Sequence, residues 1–505
     1  MSVSRVFTIQ PHVLDGSVIT IEADLSRGLH SFSIVGLAGK AIEEAKDRIN
    51  SAIKHTGFKA PKSQNHKVVI SLSPADLKKE GPLFDLPIAI AYLLAANEIK
   101  ADSTGIIFVG ELALDGTLRK IRGVLPVVRA AKEAGFSEVI VPKENAEEAA
   151  LVEDIIIYAA DSLKEVINHL DLNPETQKKL NPQPVTKITS DWHQSSVALE
   201  DIKGQETAKR GLIIAAAGRH NVLLAGPPGT GKTMLARAFQ GILPPLSRED
   251  ALAVTAIHSV AGKLDNKISS QPPFRSPHHT ASHTSLVGGG ANPKPGEVTL
   301  AHKGVLFMDE FPEFERRSLD ALRQPLEDRV VSISRVQGTA DFPADFVLIA
   351  ALNPYRGVED GTTDLARAMQ ETYGTKISGP ILDRIDLWLD VPHVNYETLT
   401  ELTNDTEETK KAREKIIQAR TRSTLRLKNC SANTNAEMSS RDIEEIIILS
   451  NAVEDLLKQS SQKLNLSPRS FHRLIKVART IADLDDSEDI NEAHLLEALQ
   501  YRVKI

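Results

Sequence analysis

The stretch that decides the fold runs from residue 221 to residue 238 and reads NVLLAGPPGTGKTMLARA. Residues 221–225 are mostly apolar and predict a buried strand, and residues 234–238 predict the opening of a helix. Between them, residues 226–233 match the phosphate-binding loop pattern G-x-x-x-x-G-K-[ST] at every fixed position. A chance glycine-rich turn is the alternative, and the strand and helix on its two sides argue against it.

The residues of this loop have separate predicted roles in holding ATP and Mg²⁺. Glycines let the backbone amides wrap the phosphates, and the N-terminus of the following helix adds positive potential. Lys232 is expected to contact the β- and γ-phosphates, and Thr233 is expected to ligate Mg²⁺. The predicted cofactor-binding residues of the loop are Gly226, Pro227, Pro228, Gly229, Thr230, Gly231, Lys232 and Thr233.

Two further predicted strands end in residues suited to ATP hydrolysis. Residues 304–308 lead into Asp309, which can hold the metal's water shell, and Glu310, which can polarise an attacking water. A solvated acidic turn is the alternative for this pair. Residues 347–352 form the other strand, and the Asn353 amide after it can orient the same water. Asn353 alone is a weak signal, because Asn-Pro is a common turn dipeptide.

The composition limits the classes of protein to which the chain can belong. A length of 505 residues suggests about three domains, and a single cysteine excludes a disulfide framework and cysteine-based zinc sites. The net charge of −7 excludes a wholly basic coat for nucleic acid but leaves room for a local basic channel. No signal-peptide pattern begins the chain, and the longest apolar stretch, residues 86–96, is too short to span a bilayer. We therefore expect a cytoplasmic protein with no membrane partner.

Four segments with different patterns follow one another along the chain. Residues 1–172 alternate strand and helix signals, residues 173–196 are polar and proline-containing like a linker, and residues 197–392 form a second α/β block. Residues 393–505 show only helical patterns. In that last segment, Ser467-Pro468 and Asn491 predict helix starts. The predicted fold class is therefore α/β with an all-helical C-terminal domain.

Nearly the whole chain resembles the Mg-chelatase-like AAA+ ATPases of the YifB/ComM type. The stretches that carry the resemblance are residues 204–233, 274–279, 287–297, 319–328, 377–387 and 473–484. The resemblance implies that the four segments are, in order, a Lon-protease-like domain, a linker, a P-loop AAA+ core and a helical lid.

The resemblance also assigns roles to two arginines and to Asn353. Arg384 lies in the family's arginine-finger motif, so it is expected to reach the γ-phosphate held by a neighbouring subunit and to stabilise charge there. From the spacing alone, a salt bridge to Asp383 or Asp386 is the alternative. Arg469 matches the sensor-II arginine at the start of a C-terminal helix, although the sequence equally allows a surface residue. Asn353 matches sensor I.

The resemblance further implies two β-hairpins that face a central pore. One surrounds residues 286–297, with Lys294 near its tip, and the other spans residues 330–342, with Arg335 near its turn. In related hexameric helicases a basic residue on the second hairpin grips the DNA backbone, and such phosphate contacts do not depend on base sequence. Ordinary solvated surface charges are the alternative for both residues.

The function implied by the resemblance is that of a Mg²⁺-dependent ATPase working as a ring-shaped DNA motor. The motor would be a helicase or branch-migration enzyme in recombination during natural transformation. The expected partners are single-stranded or branched DNA, further copies of the chain in a hexamer, and recombination proteins. The alternatives are a chelatase-type remodeller of a protein partner, an ATP-dependent protease, and an ATP-switched binding module with negligible turnover.

Two departures from related sequences bear on these alternatives. Lon proteases place a serine after a Lys-Asp-Gly-Pro run, but residues 79–83 here read KEGPL, and residues 123–126 carry no lysine at the catalytic place. Covalent catalysis needs both a nucleophile and an activating base, so the first domain is predicted to be a non-proteolytic scaffold or partner-binding module. Many family members also carry a cysteine cluster after sensor I, whereas residues 353–361 contain no cysteine.

Overall fold

The chain divides into two compact units in the computed structural model. The first comprises Met1–Thr189 with Ala251–Ser269, and the second comprises Ser190–Asp250 with Ser270–Ile505. The boundaries predicted at residues 172, 196 and 392 remain predictions, because compactness alone does not define a domain. The described residues are 3–190, 192, 195–264, 268, 270–290, 294–335, 338–353, 377–395, 407–464 and 466–502.

The first unit combines a mixed β-sheet with helices. Its strands are β1 (Ser4–Pro11), β2 (Gly16–Arg27), β3 (Ser31–Val35), β4 (His66–Ser73), β5 (Ile106–Phe108), β6 (Glu111–Leu112), β7 (Leu118–Arg119), β8 (Glu138–Pro142) and β9 (Ile156–Ala160). Its helices are α1 (Lys40–His55), α2 (Asp85–Ala95), α3 (Val124–Glu133), α4 (Ala146–Ala149) and α5 (Leu163–Leu170). The sheet order is β3-β4-β2-β1-β5-β8-β9, with β2 antiparallel to β1 and to β4 and the other neighbours parallel.

Local sequence patterns explain several of these elements. The apolar spacing of residues 39–53 predicts the helix that the structure places at α1. Asp115-Gly116 predicts a hairpin turn, and β6 and β7 pair antiparallel on its two sides. Gly135 predicts the end of α3, and its φ of +83° is the left-handed conformation that glycine adopts after a helix. These predictions are confirmed.

The second unit holds a parallel sheet and the helical C-terminal region. Its strands are β10 (Val222–Ala225), β11 (Phe274–Arg275), β12 (Gly288–Gly289), β13 (Lys294–Pro295), β14 (Val305–Met308), β15 (Val330–Arg335), β16 (Gly338–Pro343), β17 (Val347–Leu352) and β18 (Leu387–Asp390). The helices before the last of these strands are α6 (Glu206–Gly218), α7 (Lys232–Ile242), α8 (Arg248–Ala261), α9 (His283–Val287), α10 (Glu297–Leu300), α11 (Arg316–Asp320), α12 (Arg323–Asp328) and α13 (Gly379–Leu382). The helices after it are α14 (Glu408–Arg426), α15 (Ser440–Ile446), α16 (Asn451–Lys463), α17 (Pro468–Leu484) and α18 (Glu492–Gln500). From Ala251 onward, α8 belongs to the first unit.

The five-stranded sheet of the second unit positions the functional residues. Its order is β11-β14-β17-β10-β18, and every neighbouring pair is parallel. β10, β14 and β17 are buried along their whole length, as expected for apolar strands that are covered on both faces. The carboxyl ends of these strands therefore lie along one edge of the sheet, and their amino ends lie along the other.

Two helices of the C-terminal region begin where the sequence predicts. The Ser467 hydroxyl accepts a hydrogen bond from the Ser470 amide at the start of α17, with proline at the first helical position. The Asn491 side chain likewise accepts from the His494 amide at the start of α18. Among the described residues, no helix is both long and apolar enough to cross a membrane.

Candidate active site

The phosphate loop connects the carboxyl end of β10 to the start of α7. A side chain does not fit at Gly226, because a Cβ atom there would lie 2.1 Å from the Val391 carbonyl oxygen. Gly229 and Gly231 have φ angles of +81° and +92°, a region that favours glycine. The backbone path of the loop therefore requires the glycine spacing of the motif.

The Lys232 side chain is buried inside this loop. Its ammonium donates hydrogen bonds to the backbone oxygens of Gly226 and Pro227 at 2.8 and 2.7 Å. Burial lowers the pKa of the Lys232 ammonium, and the charge of Asp309 acts in the opposite direction. Lys232 is thus a buried cation whose partners are neutral carbonyls, and negatively charged phosphate oxygens would stabilise it. The loop therefore fits the triphosphate of ATP.

Thr233 and Asp309, the two residues assigned to Mg²⁺, meet beside the loop. The Thr233 hydroxyl donates to Asp309 Oδ2 at 3.3 Å. They meet because only β17 lies between β10 and β14, and parallel strands end at the same edge of the sheet. Hydroxyl and carboxylate oxygens are ligands that Mg²⁺ prefers, so this pair fits the cation.

Glu310 is held in a defined place next to Asp309. Its backbone has a φ of +50°, and its amide donates to Asp309 Oδ1 at 2.9 Å. Its Oε2 atom lies 2.9 Å from Nδ1 of His279. Sequence reasoning favours a structural or hydrogen-bonding role for this histidine over metal binding, but it does not identify Glu310 as the partner. Sequence alone carried no signal for this partner, because the pairing of β11 with β14 brings the segment that follows β11 close to Glu310.

Asn353 follows β17 directly and so stands at the edge of the sheet that carries Lys232 and Asp309. That position suits an amide that orients a water molecule beside the phosphates. The cysteine-free segment that comes after Asn353 lies outside the described residues.

Arg384 and Arg469 share one carboxylate, that of Glu327. Arg384 Nη2 is paired with Glu327 Oε2, and Arg469 Nη2 lies 2.6 Å from Glu327 Oε1. The sequence spacing allows Arg384 to pair with Asp383 or Asp386, but the ion pair that the structure shows is with Glu327. Arg384 is buried, with 6 % of its surface exposed, whereas the Arg469 side chain is 56 % exposed.

The two arginines lie at the opposite edge of the sheet from the phosphate loop. The Arg384 carbonyl accepts from the side chain of Asn221, the residue that precedes β10, whereas the loop follows the other end of β10. Four strand residues at about 3.3 Å each separate these ends by roughly 13 Å. Within one chain, Arg384 and Lys232 therefore do not meet.

Both predicted hairpins are present as antiparallel strand pairs. β12 pairs with β13 through Gly288↔Pro295 and Gly289↔Lys294, and the Lys294 side chain is exposed. β15 pairs with β16, and Arg335↔Gly338 is the pair nearest the turn. The side chain of Arg335 lies outside the described part of the chain, so only its backbone position is known.

Two buried leucines of the first unit lie in the segments that the resemblance compares with the reactive residues of Lon proteases. Leu83 is 4 % exposed and Leu125 is fully buried, and both belong to the hydrophobic core. A leucine can neither attack a peptide bond nor accept a proton. The non-proteolytic character of the domain stays a prediction.

A parallel sheet with a phosphate loop after one strand and an acidic pair after a nearby strand defines a P-loop nucleotide-binding protein of the AAA+ class. Three family models match the chain. "Magnesium chelatase, subunit ChlI" matches residues 198–399, "Subunit ChlI of Mg-chelatase" matches residues 21–145, and "Magnesium chelatase, subunit ChlI C-terminal" matches residues 406–502.

Relatives match over the full length of the chain. Competence protein ComM of Haemophilus influenzae is 42 % identical over 510 residues, which cover 100 % of this chain and 98 % of that protein. Protein YifB of Salmonella typhimurium is 42 % identical over 511 residues, covering 99 % and 97 %. Lon protease 2 of Bacillus subtilis is 28 % identical over 179 residues, covering 32 % of each chain. The chain belongs to the Mg-chelatase-like ComM/YifB family of AAA+ proteins.

Proposed function

We propose that the chain is a Mg²⁺-dependent ATPase that assembles as a hexameric ring and uses ATP hydrolysis to move along DNA. The observation that carries this proposal is the separation of Lys232 and Asp309, at one edge of the sheet, from Arg384 at the other. One chain holds both halves of a hydrolysis site but does not join them. A second copy of the chain would supply the missing half, and a closed ring gives every site such a neighbour.

Each residue of the site has a separate proposed role in ATP hydrolysis. Bound Mg²⁺ neutralises charge on the phosphate oxygens of ATP. Lys232 and the loop amides hold the phosphates, and Thr233 and Asp309 hold the cation. Glu310 polarises the attacking water, and Asn353 orients it. Arg384 of the neighbouring subunit then stabilises the charge that develops on the phosphoryl oxygens.

The two hairpins are the proposed DNA-contacting elements. Lys294 is exposed on β13, and Arg335 ends β15 beside the turn, so basic residues occupy both hairpins. Contacts from such residues to DNA phosphates suit a motor that moves along any sequence. A full-length relative is named a competence protein, which supports a role in natural transformation. The activity proposed for that role is helicase or branch migration on single-stranded or branched DNA, in concert with recombination proteins.

The first unit is proposed to be a Lon-protease-like domain without protease activity, a scaffold or partner-binding module. The partial similarity to Lon proteases supports the relationship, and the buried Leu83 and Leu125 argue against catalysis. A casein-degradation assay in the presence of ATP is expected to show no cleavage. ATP-dependent cleavage would overturn this assignment.

The test of the DNA-motor function is the ATPase rate with and without single-stranded, duplex and branched DNA, at a stated salt concentration. We expect DNA to raise the rate. The double variant Lys294→Ala/Arg335→Ala is expected to lose roughly tenfold in DNA binding and in unwinding, while basal ATPase stays within about twofold. Lys458→Ala is the control, because it removes an exposed charge that pairs with Glu454 on a helix.

Other results of the same assay would favour the other functions. Unchanged unwinding by the double variant would remove the hairpins from the proposal. ATPase activity that DNA leaves unchanged would favour a chelatase-type remodeller, which the names of the family models also suggest. Nucleotide binding with negligible turnover would favour an ATP-switched binding module.

A further inference from the structure

Glu327 is the common partner of Arg384, which the proposed site needs from a neighbouring subunit, and of Arg469, which matches the sensor-II arginine. Its two oxygens divide between them, with Oε2 on Arg384 and Oε1 on Arg469. In the part of the chain that the structure describes, neither arginine has another acidic partner. The Glu327 side chain is 47 % exposed, so this carboxylate lies at the protein surface.

A buried ion pair fixes the backbone that carries both arginines. Arg473, one helical turn after Arg469 on α17, lies 3.0 Å from Asp386, which is two residues after Arg384. Asp386 also accepts from the Asn221 amide at 3.0 Å. The Asp386–Arg473 pair is largely shielded from solvent. Glu327 and Arg469 are about half exposed, and Glu327 is the solvent-facing partner of the buried Arg384, so the Glu327 contacts can exchange while the Asp386–Arg473 pair stays in place.

The Arg384 side chain is buried and only partly hydrogen-bonded. It is 8 % exposed, Nη1 donates to the Pro380 carbonyl at 2.5 Å, and Nε is buried with no hydrogen-bond partner among the described residues. A guanidinium offers five N–H donors, so the present contacts leave it incompletely satisfied. Desolvation acts to raise the pKa of the Glu327 carboxyl, but Arg384, Arg469 and Arg473 together lower it, which keeps the carboxylate ionised.

We propose that Glu327 is a positioning residue that holds Arg384 and Arg469 as a pair and yields both guanidiniums to the terminal phosphate of ATP bound in a second copy of the chain. The proposal rests on the proposed ATPase function and adds an internal anion that competes with the phosphate. Carboxylate and phosphate both present paired oxygens to a guanidinium, so the exchange conserves hydrogen bonds. The terminal phosphate carries more negative charge, which favours the exchange once nucleotide and neighbour are in place.

The test is the steady-state ATPase kinetics of the full chain carrying Glu327→Gln, which keeps the shape of the side chain and removes its charge. Loss of the competing anion is expected to lower KM for ATP roughly fivefold, the size of an exposed ion-pair contribution, with kcat within about twofold. Glu327→Asp keeps the charge and is expected to keep KM near wild type. Glu445→Gln is the matched control, because it removes the charge of an exposed carboxylate 2.7 Å from Arg441.

A double variant separates positioning from a merely structural role. Because an Arg384→Ala background is expected to lose turnover, the readout there is the Kd for ATP from equilibrium binding. Glu327→Gln is expected to change this Kd less than it does in a wild-type background, because one of the two arginines that Glu327 holds is gone. An unchanged or raised KM for Glu327→Gln, or an effect equally large without Arg384, would overturn the proposal. Lys232→Ala, measured in the same assay, tests the proposed ATPase function on which this inference rests. If Lys232→Ala hydrolyses ATP as fast as the wild type, both the proposed function and this inference fail. If ATPase activity depends on Lys232 but Glu327→Gln leaves the kinetics unchanged, only the role of Glu327 is refuted.

Discussion

Single residues show how tightly the proposed hydrolysis site is restrained before nucleotide binds. Glu310 sits in a left-handed backbone conformation that non-glycine residues seldom adopt, and His279 engages its carboxylate. A carboxylate in contact with a histidine is less available to an attacking water. The contact therefore restrains the group that the mechanism needs.

Replacing His279 with alanine is expected to raise basal ATPase activity about twofold to threefold, because Glu310 then turns freely toward the water. The measurement is kcat without DNA. His55→Ala is the control, since Nδ1 of His55 contacts the Ser51 backbone oxygen on α1 at 2.9 Å. A fall in kcat for His279→Ala would mean that the histidine positions Glu310 for catalysis and does not restrain it.

Gly226→Ala is expected to lower the thermal unfolding midpoint and to abolish nucleotide binding. The added methyl group would meet the Val391 carbonyl oxygen at 2.1 Å, and overpacking of this kind costs about 1–3 kcal/mol. Gly379→Ala is the matched control, because a Cβ atom there meets nothing within 4 Å. Equal midpoints for the two variants would contradict the close approach at Gly226.

At the scale of elements, one buried carboxylate ties several segments of the second unit together. Asp345, just before β17, lies 2.9 Å from Arg219, 3.0 Å from Lys303 and 3.1 Å from Arg329. These cations come from the end of α6, the start of β14 and the turn before β15. The amide of Asp345 also donates to Nδ1 of His302 at 3.1 Å, so this ring nitrogen is an acceptor.

This cluster predicts a loss of stability in mild acid. Burial lowers the pKa of His302 from 6.5 to about 4, while the Asp345 charge acts in the opposite direction. The unfolded chain therefore binds more protons than the folded chain between these values, and stability falls as pH drops from 6.5 toward 4. From pH 7.5 to pH 5 the loss is about 2 kcal/mol.

The measurement is the thermal unfolding midpoint at pH 7.5 and pH 5 for the wild type and for His302→Asn. Asparagine can still accept from the Asp345 amide but does not titrate in this range. The wild-type midpoint is expected to fall further on acidification than that of the variant. Equal falls would show that His302 does not become protonated on unfolding.

For the whole molecule, the separation of the phosphate loop from Arg384 predicts complementation between inactive chains. Lys232→Ala and Arg384→Ala are each expected to lose ATPase activity. Mixed in equal amounts they should recover about a quarter of the wild-type rate, because one interface in four then joins an intact Lys232 to an intact Arg384. Each variant alone at doubled concentration is the control, and no recovery on mixing would contradict a site shared between chains.

Much of the fold follows from local sequence. The strand, loop and helix around residues 221–238, the caps at Ser467 and Asn491, and the turn at Asp115-Gly116 arise from side-chain periodicity and backbone sterics within a few residues. Such interactions form wherever the same short pattern occurs. The sequence therefore predicts them without knowledge of distant contacts.

Only the tertiary structure decided which distant residues meet. Glu327 pairs with arginines 57 and 142 positions away. The segment after Asp250, which the sequence places inside the second α/β block, contributes Ala256 to the hydrophobic core of the first unit, where Ser259 also accepts a hydrogen bond from the Gly123 amide. The sequence by itself determined the phosphate loop and those elements that have a clear local pattern. The order of strands and the burial of each face determined which side chains pair with one another. Charges and apolar groups far apart in sequence share no local pattern, so their contacts exist only once the sheet brings them together.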